Sequence, residues 1–187
     1  MQKLSLILLT LLINNSAQAQ NDPSLSKIME AMQKAGAPGS MHRKLNPLVG
    51  EWSYTAKLWA VPGQPPITFK GKAKHTFILG GRYIQQDVES SLPMPFKGFG
   101  LIGYDNLKKK YTAMWVDSMT TTIFTSKGSL DKGGKVFTFH GVESDPLTKK
   151  TIKTRDVIEI KDKDTHTMTA YRIKPGQKKE TKVMEIV

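Results

Sequence analysis

The chain has 187 residues, no cysteine, and 28 lysines and arginines against 16 aspartates and glutamates, for a net charge of +12. The missing cysteines exclude thiol catalysis, thiolate metal sites and disulfides, so packing and backbone hydrogen bonds must hold the fold together. Arg43, Arg82, Arg155 and Arg172 are the only arginines; base readout favours arginine, and no aromatic-plus-arginine stripe is present, so nucleic acid is not an expected partner.

The N-terminus carries Lys3, then an apolar run from Leu4 to Ile13 broken only by Ser5 and Thr10, then Ala17-Gln18-Ala19. That order predicts a secretory signal peptide over residues 1–19, cut before Gln20, and hence a periplasmic or secreted protein. A spanning helix needs about twenty apolar residues, roughly twice this run, so no transmembrane segment is expected. Asp22-Pro23 reads as an N-cap with proline in the first turn, and Leu25, Ile28, Met29 and Met32 recur at helical spacing until Gly36 and Pro38. A shorter helical turn is expected over Met41 to Leu45. Residues 20–46 are therefore an N-terminal helical segment.

From Gly50 the hydrophobic period becomes two. Strands are predicted over Glu51–Ala60, Ile67–Leu79, Arg82–Ser91, Phe96–Tyr104, Tyr111–Asp117, Thr121–Leu130, Lys135–Glu143, Thr148–Ile160, His166–Lys174 and Glu180–Val187. The breaks carry turn chemistry, such as Pro62-Gly63, Gly80-Gly81, Asp105-Asn106 and Asp131-Lys132-Gly133-Gly134. About ten sequential antiparallel strands with short turns predict an all-β, up-and-down barrel over residues 47–187, because closure removes the exposed edges of a long open sheet.

Leu48-Val49-Gly50-Glu51-Trp52 sits at the entry to the first strand. Such a Gly-x-Trp resembles the opening of lipocalins and other calycins. The likeness implies structural roles for Gly50 and Trp52, with a late arginine, Arg155 or Arg172, lying over the indole. Over a longer stretch, Leu79-Gly80-Gly81-Arg82-Tyr83-Ile84-Gln85-Gln86, Pro95 to Asp105, Lys110–Asp117, Asp145-Pro146, Arg155 and Lys182–Ile186 together resemble the uncharacterised bacterial family catalogued as domain of unknown function 1579. The resemblance covers Met41 to Val187 and implies a lipocalin-like barrel, often exported, without established catalytic residues. One departure is that the chain stops at Val187, where relatives commonly run a few residues further; this bears on the closing strand.

Gly98-Phe99-Gly100-Leu101-Ile102-Gly103 matches a dinucleotide fingerprint in letters only, because it lies inside a strand that turns into another strand. Strand glycines at this density predict close backbone approach. Tyr83, Gln85, Asp87 and Glu89 share one strand face, and Tyr111, Trp115 and Asp117 share another. Facing inward, they make a polar-lined pocket. The reverse register puts Ile84 and Val88 inside and those polar groups in water, and both registers are compatible with the alternation. His140 lies opposite Phe137 and Phe139, so it is solvated if the phenylalanines face the core and lines the cavity otherwise. A haem iron on His140 is conceivable by analogy with haem-binding ten-stranded barrels, but the histidine has no paired motif; no cofactor and no metal are expected.

These features favour an exported binding module for a small apolar or amphiphilic molecule, with Tyr83, Gln85, Asp87, Trp115, Asp117, His140 and Arg155 as candidate ligand contacts. Two other classes stay open. An enzyme, an isomerase or hydrolase using His140, Asp117 and Asp87 at the barrel mouth, needs a carboxylate within hydrogen-bond reach of His140. An envelope interaction protein without a cavity would use the dispersed lysines, which imply weak attraction to anionic surfaces.

Overall fold

The computed structural model describes residues 23–61, 63–91, 94–173, 176, 177 and 179–187. The expected signal peptide, Met1 to Ala19, lies outside them, as does the Asp22 cap. Of the described residues, those up to Ala37 form one unit, with helix α1 over Pro23–Gly36, and those from Pro38 on form another. No helix among the described residues is long and apolar enough to cross a membrane.

The second unit opens with a short helix, α2 (Ser40–Arg43), and a 3-10 turn over Asn46–Leu48. Ten strands follow: β1 (Gly50–Leu58), β2 (Ile67–Ile78), β3 (Tyr83–Ser90), β4 (Phe96–Asp105), β5 (Lys110–Asp117), β6 (Phe124–Leu130), β7 (Val136–Ser144), β8 (Thr151–Ile160), β9 (His166–Ile173) and β10 (Thr181–Ile186). Each strand pairs antiparallel with its neighbours in sequence, and β10 returns to β1, closing an up-and-down barrel. The closing register sets Ala56 against Ile186 and Leu58 against Met184, and Val187 exchanges both backbone hydrogen bonds with Thr55. The architecture is consistent with the lipocalin-like barrel that the resemblance implies.

Aspartates start the hairpin turns. The side chains of Asp105, Asp117, Asp131 and Asp145 each accept two backbone N–H groups a few residues on, at 2.8–3.0 Å. These Asx turns offer the backbone a partner outside the ladder. They explain why β6 and β8 begin three residues later than the hydrophobic pattern predicts: Asp117 turns the chain through Thr120, and Asp145 through Thr148.

The register decides which face is inside. Trp52, Tyr54 and Ala56 on β1 oppose Ala73, Gly71 and Phe69 on β2, and Ile84, Gln86 and Val88 on β3 oppose Ile102, Gly100 and Gly98 on β4. Leu45 and Leu48, from the segment before β1, plug one end and pack with buried Ile84, Ile102, Tyr111, Phe137 and Phe139. Burying each large apolar side chain stabilises the fold by about 1.5–3 kcal/mol. The plug is also tied by polar groups. The Tyr111 hydroxyl donates to the Met41 carbonyl at 2.8 Å, and Trp52 Nε1 donates to the Leu48 carbonyl at 3.1 Å. His75 Nδ1 donates to the same Leu48 carbonyl at 2.9 Å. Gly50, at φ +147°, takes a backbone conformation that favours glycine, and this brings Trp52 under the plug.

Candidate functional site

The half of the barrel beside the plug is close-packed, and the large inward side chains of the far half keep accessible surface. Large inward side chains of the far half, Tyr54, Phe69, Val88, Phe96, Trp115 and Phe124, are only partly buried, whereas plug-end residues such as Leu45, Ile84 and Phe137 are 0 % exposed. A closed wall whose inward side chains keep accessible surface encloses usable space.

That space has flat walls because rings lie along strand glycines. A Cβ on Gly71 would sit 2.3 Å from the Tyr54 ring, one on Gly98 2.3 Å from the Trp115 indole, and one on Gly141 2.9 Å from the Phe124 ring. Each ring therefore lies over a neighbouring strand instead of projecting across the lumen. Trp115 is pinned there: its Nε1 donates to Asp117 Oδ2 at 2.9 Å, and its ring stacks with Phe96 at 6.5 Å.

Among the described residues, one charged cluster lies on the inward face of β7, β8 and β9. Arg172 donates from Nε to Glu143 at 2.7 Å and from Nη1 to Asp156 at 2.9 Å and to the Tyr171 carbonyl at 3.0 Å. Burial pushes the Asp156 carboxyl above the usual range, against the pull of the Arg172 charge. Thr154, opposite Arg172 in the ladder, is 3 % exposed, and its hydroxyl oxygen has no hydrogen-bond partner among the described residues. By contrast, every strand lysine among the described residues points outward, Lys57, Lys72, Lys127 and Lys153 included, each on the face opposite the core residues of its strand.

Towards the plug the lumen holds two histidines. His75 gives its Nδ1 proton to Leu48, so its Nε2 accepts from Gln86 Nε2 at 3.3 Å. His166 meets Trp52 edge-on at 4.4 Å, and its Nδ1 is buried without a partner among the described residues. Burial holds His166 down to about 4 and lowers His75 as well. The position expected for an arginine over Trp52 is thus taken by His166. Arg155 instead faces outward, 4.0 Å above the Tyr171 ring and paired with Glu180, and Arg172 is committed to its two carboxylates.

The candidate residues divide between two faces. Trp115 and Asp117 point inward with Tyr111, but Asp117 is a structural acceptor, holding Trp115 through one oxygen and the Met119 and Thr120 amides through the other. Tyr83, Gln85 and Asp87 point outward, because Ile84, Gln86 and Val88 take the inside. Gln85 donates to Asp87 at 2.8 Å, and Lys74, opposite Asp87 on β2, pairs with Glu51 at 3.2 Å, so these are surface polar contacts. His140 is exposed on the outer face, since Phe137 and Phe139 are core. The acid–base set of His140, Asp117 and Asp87 is therefore not assembled: Asp117 and His140 face opposite sides of the wall. Tyr83 and His140 both border a shallow outer groove of about 700 Å³, with Leu101, Met114, Lys127 and Lys153. The inward groups Glu143, Thr154, Asp156, His166 and Arg172 were not singled out as ligand contacts by the strand pattern, although each shares its strand parity with core residues.

The sequence model of one protein family, described as "Protein of unknown function (DUF1579)", matches residues 37–187. No curated protein matches the chain.

Proposed function

We propose that this chain, which belongs to the family of unknown function DUF1579, binds a small amphiphilic molecule in the far half of its barrel. The observation that carries this reading is that the large inward side chains Trp115, Phe124 and Arg172 keep accessible surface, whereas Leu45, Ile84 and Phe137 at the plug are 0 % exposed. A pocket with mostly apolar walls and a few placed polar groups suits small-molecule binding. The apolar body of the ligand lies along the faces of Tyr54, Trp115 and Phe124, and its polar end meets the Arg172 cluster. The mature protein acts outside the cytoplasm, in line with the signal-peptide pattern of residues 1–19. Its outward lysines add a weak, salt-sensitive attraction to anionic surfaces.

Native mass spectrometry of the protein purified from its own periplasm or medium tests this. An added mass that disappears on denaturation is expected, and the neutral probe N-phenylnaphthylamine should compete with whatever is bound. A clean apo mass together with no probe binding refutes the reading. Sequencing of the exported chain should begin at Gln20; a chain that retains its N-terminus and stays in the cytoplasm refutes the export.

A further inference from the structure

The nature of the ligand's polar end follows from how charge is sorted across the barrel wall; this rests on the binding reading above. The whole chain carries +12, yet the inward strand charges among the described residues are Asp117, Glu143, Asp156 and Arg172, three acids and one base. Asp117 is spent on the turn and on Trp115. The remaining cluster has two carboxylates to one guanidinium, and that guanidinium already uses Nε and Nη1 on Glu143, Asp156 and the Tyr171 carbonyl. An incoming anion would meet a neutralised arginine with an acid in excess. A cation would meet the unbalanced carboxylate.

Two further features bear on the polar end of the ligand. Thr154, beside Arg172 and two residues from Asp156 on the same inward face, keeps a buried hydroxyl oxygen without a partner among the described residues. A buried hydroxyl left unmatched is costly, and because it can both donate and accept it marks a place for a polar group of the ligand without choosing that group's charge. The Phe124 ring lies over Gly141, which pairs directly with Thr154 and is two residues from Glu143 on the same inward face of β7, so an aromatic ring lies along the strand that carries Glu143. Aromatic faces attract ammonium groups through the ring quadrupole. We propose that the far half of the lumen is selective for organic cations: an amine or ammonium group lies between Glu143, Asp156 and the Phe124 ring, with the apolar body along Trp115.

This preference opposes the charge of the molecule as a whole. Non-specific attraction to a protein of +12 favours anions, so surface binding and lumen binding predict opposite signs. The test displaces N-phenylnaphthylamine from the mature protein, at physiological salt, with decylammonium, decyltrimethylammonium, decanoate or decanol. Decylammonium or decyltrimethylammonium should compete at least about tenfold better than decanoate. In Glu143→Gln, which keeps the shape and an acceptor for Arg172, the cation-to-anion ratio should fall towards one, and Asp156→Asn provides a second variant should the first fail to fold. If the neutral probe does not bind at all, the binding reading fails. If it binds but decanoate competes as well as the cations, or the ratio survives both substitutions, the cation assignment is overturned. A decylammonium affinity well above that of decyltrimethylammonium would identify an N–H donor to Thr154 as part of recognition.

Discussion

Gly98→Ala tests the wall that shapes the lumen. A Cβ at this position would lie 2.3 Å from Trp115 Cζ2, 2.5 Å from Cη2 and 3.2 Å from Phe96 Cε1. Carbon atoms rest at about 3.5 Å or more, so the indole must retreat by roughly 1.2 Å. Its Nε1–Asp117 bond of 2.9 Å resists that movement, and Asp117 in turn holds the amides that turn β5 into β6. Overpacking of this kind costs about 1–3 kcal/mol, against a gain of about 0.4–1 from the stiffer unfolded chain. The net loss, from about zero to about 2.6 kcal/mol, should lower the melting temperature by up to roughly 5–10 °C for a domain of this size. Thermal unfolding followed by circular dichroism measures it, in the wild-type and the Trp115→Leu backgrounds. Removing the indole removes the clash, so Gly98→Ala should then be neutral or mildly stabilising. Equal costs in both backgrounds, a coupling within about 0.5 kcal/mol of zero, would refute the proposition that Trp115 lies on Gly98.

Arg172→Met leaves Asp156 and Glu143 without their counter-ion. It should destabilise by about 2–3 kcal/mol at neutral pH, less than a fully buried pair because Glu143 is 31 % exposed. The Asp156 carboxyl, already raised by burial, loses the charge that pulls it down, so its folded-state pKa rises further. Its added penalty is absent below the ordinary carboxylate range and grows as pH rises towards the raised pKa, so the variant's deficit should shrink on acidification; urea melts at two pH values show it. Tyr111→Phe leaves the Met41 carbonyl without its 2.8 Å donor and should cost about 1 kcal/mol in urea unfolding, with the fold unchanged. His166, lowered from 6.5 to about 4, contributes stability that is full above pH 6.5 and is lost as pH falls towards 4. His166→Gln should flatten the stability curve in that window by up to about one proton, while buried His75 leaves some slope in place.

Much of the fold was legible in the strand pattern. Asp-led turns and glycine pairs marked nearly every hairpin, and all ten strands lie within three residues of their predicted limits. The site was less so. His140 and Asp87 looked like chemistry because of their residue types, yet their neighbours Phe139 and Val88 decide the parity and place both outside. The same rule applied to β8 and β9 exposes what residue type concealed. Asp156 alternates with Ile152 and Ile158, and Arg172 with Ala170 and Met168, so these charges had to face the lumen once those apolar residues did.

The amino-acid sequence by itself determined the strand order, the turns and the closed antiparallel barrel, because these follow from local turn chemistry and a period-two pattern that needs only near neighbours. Only the tertiary structure decided which face is inside at β3 and β5, that His166 and not an arginine lies against Trp52, and that Glu143, Asp156 and Arg172 come together from three strands. A barrel's inward register is set jointly by all ten strands closing on one core, and a contact such as Arg172 with Glu143, 29 positions apart, exists only after that closure.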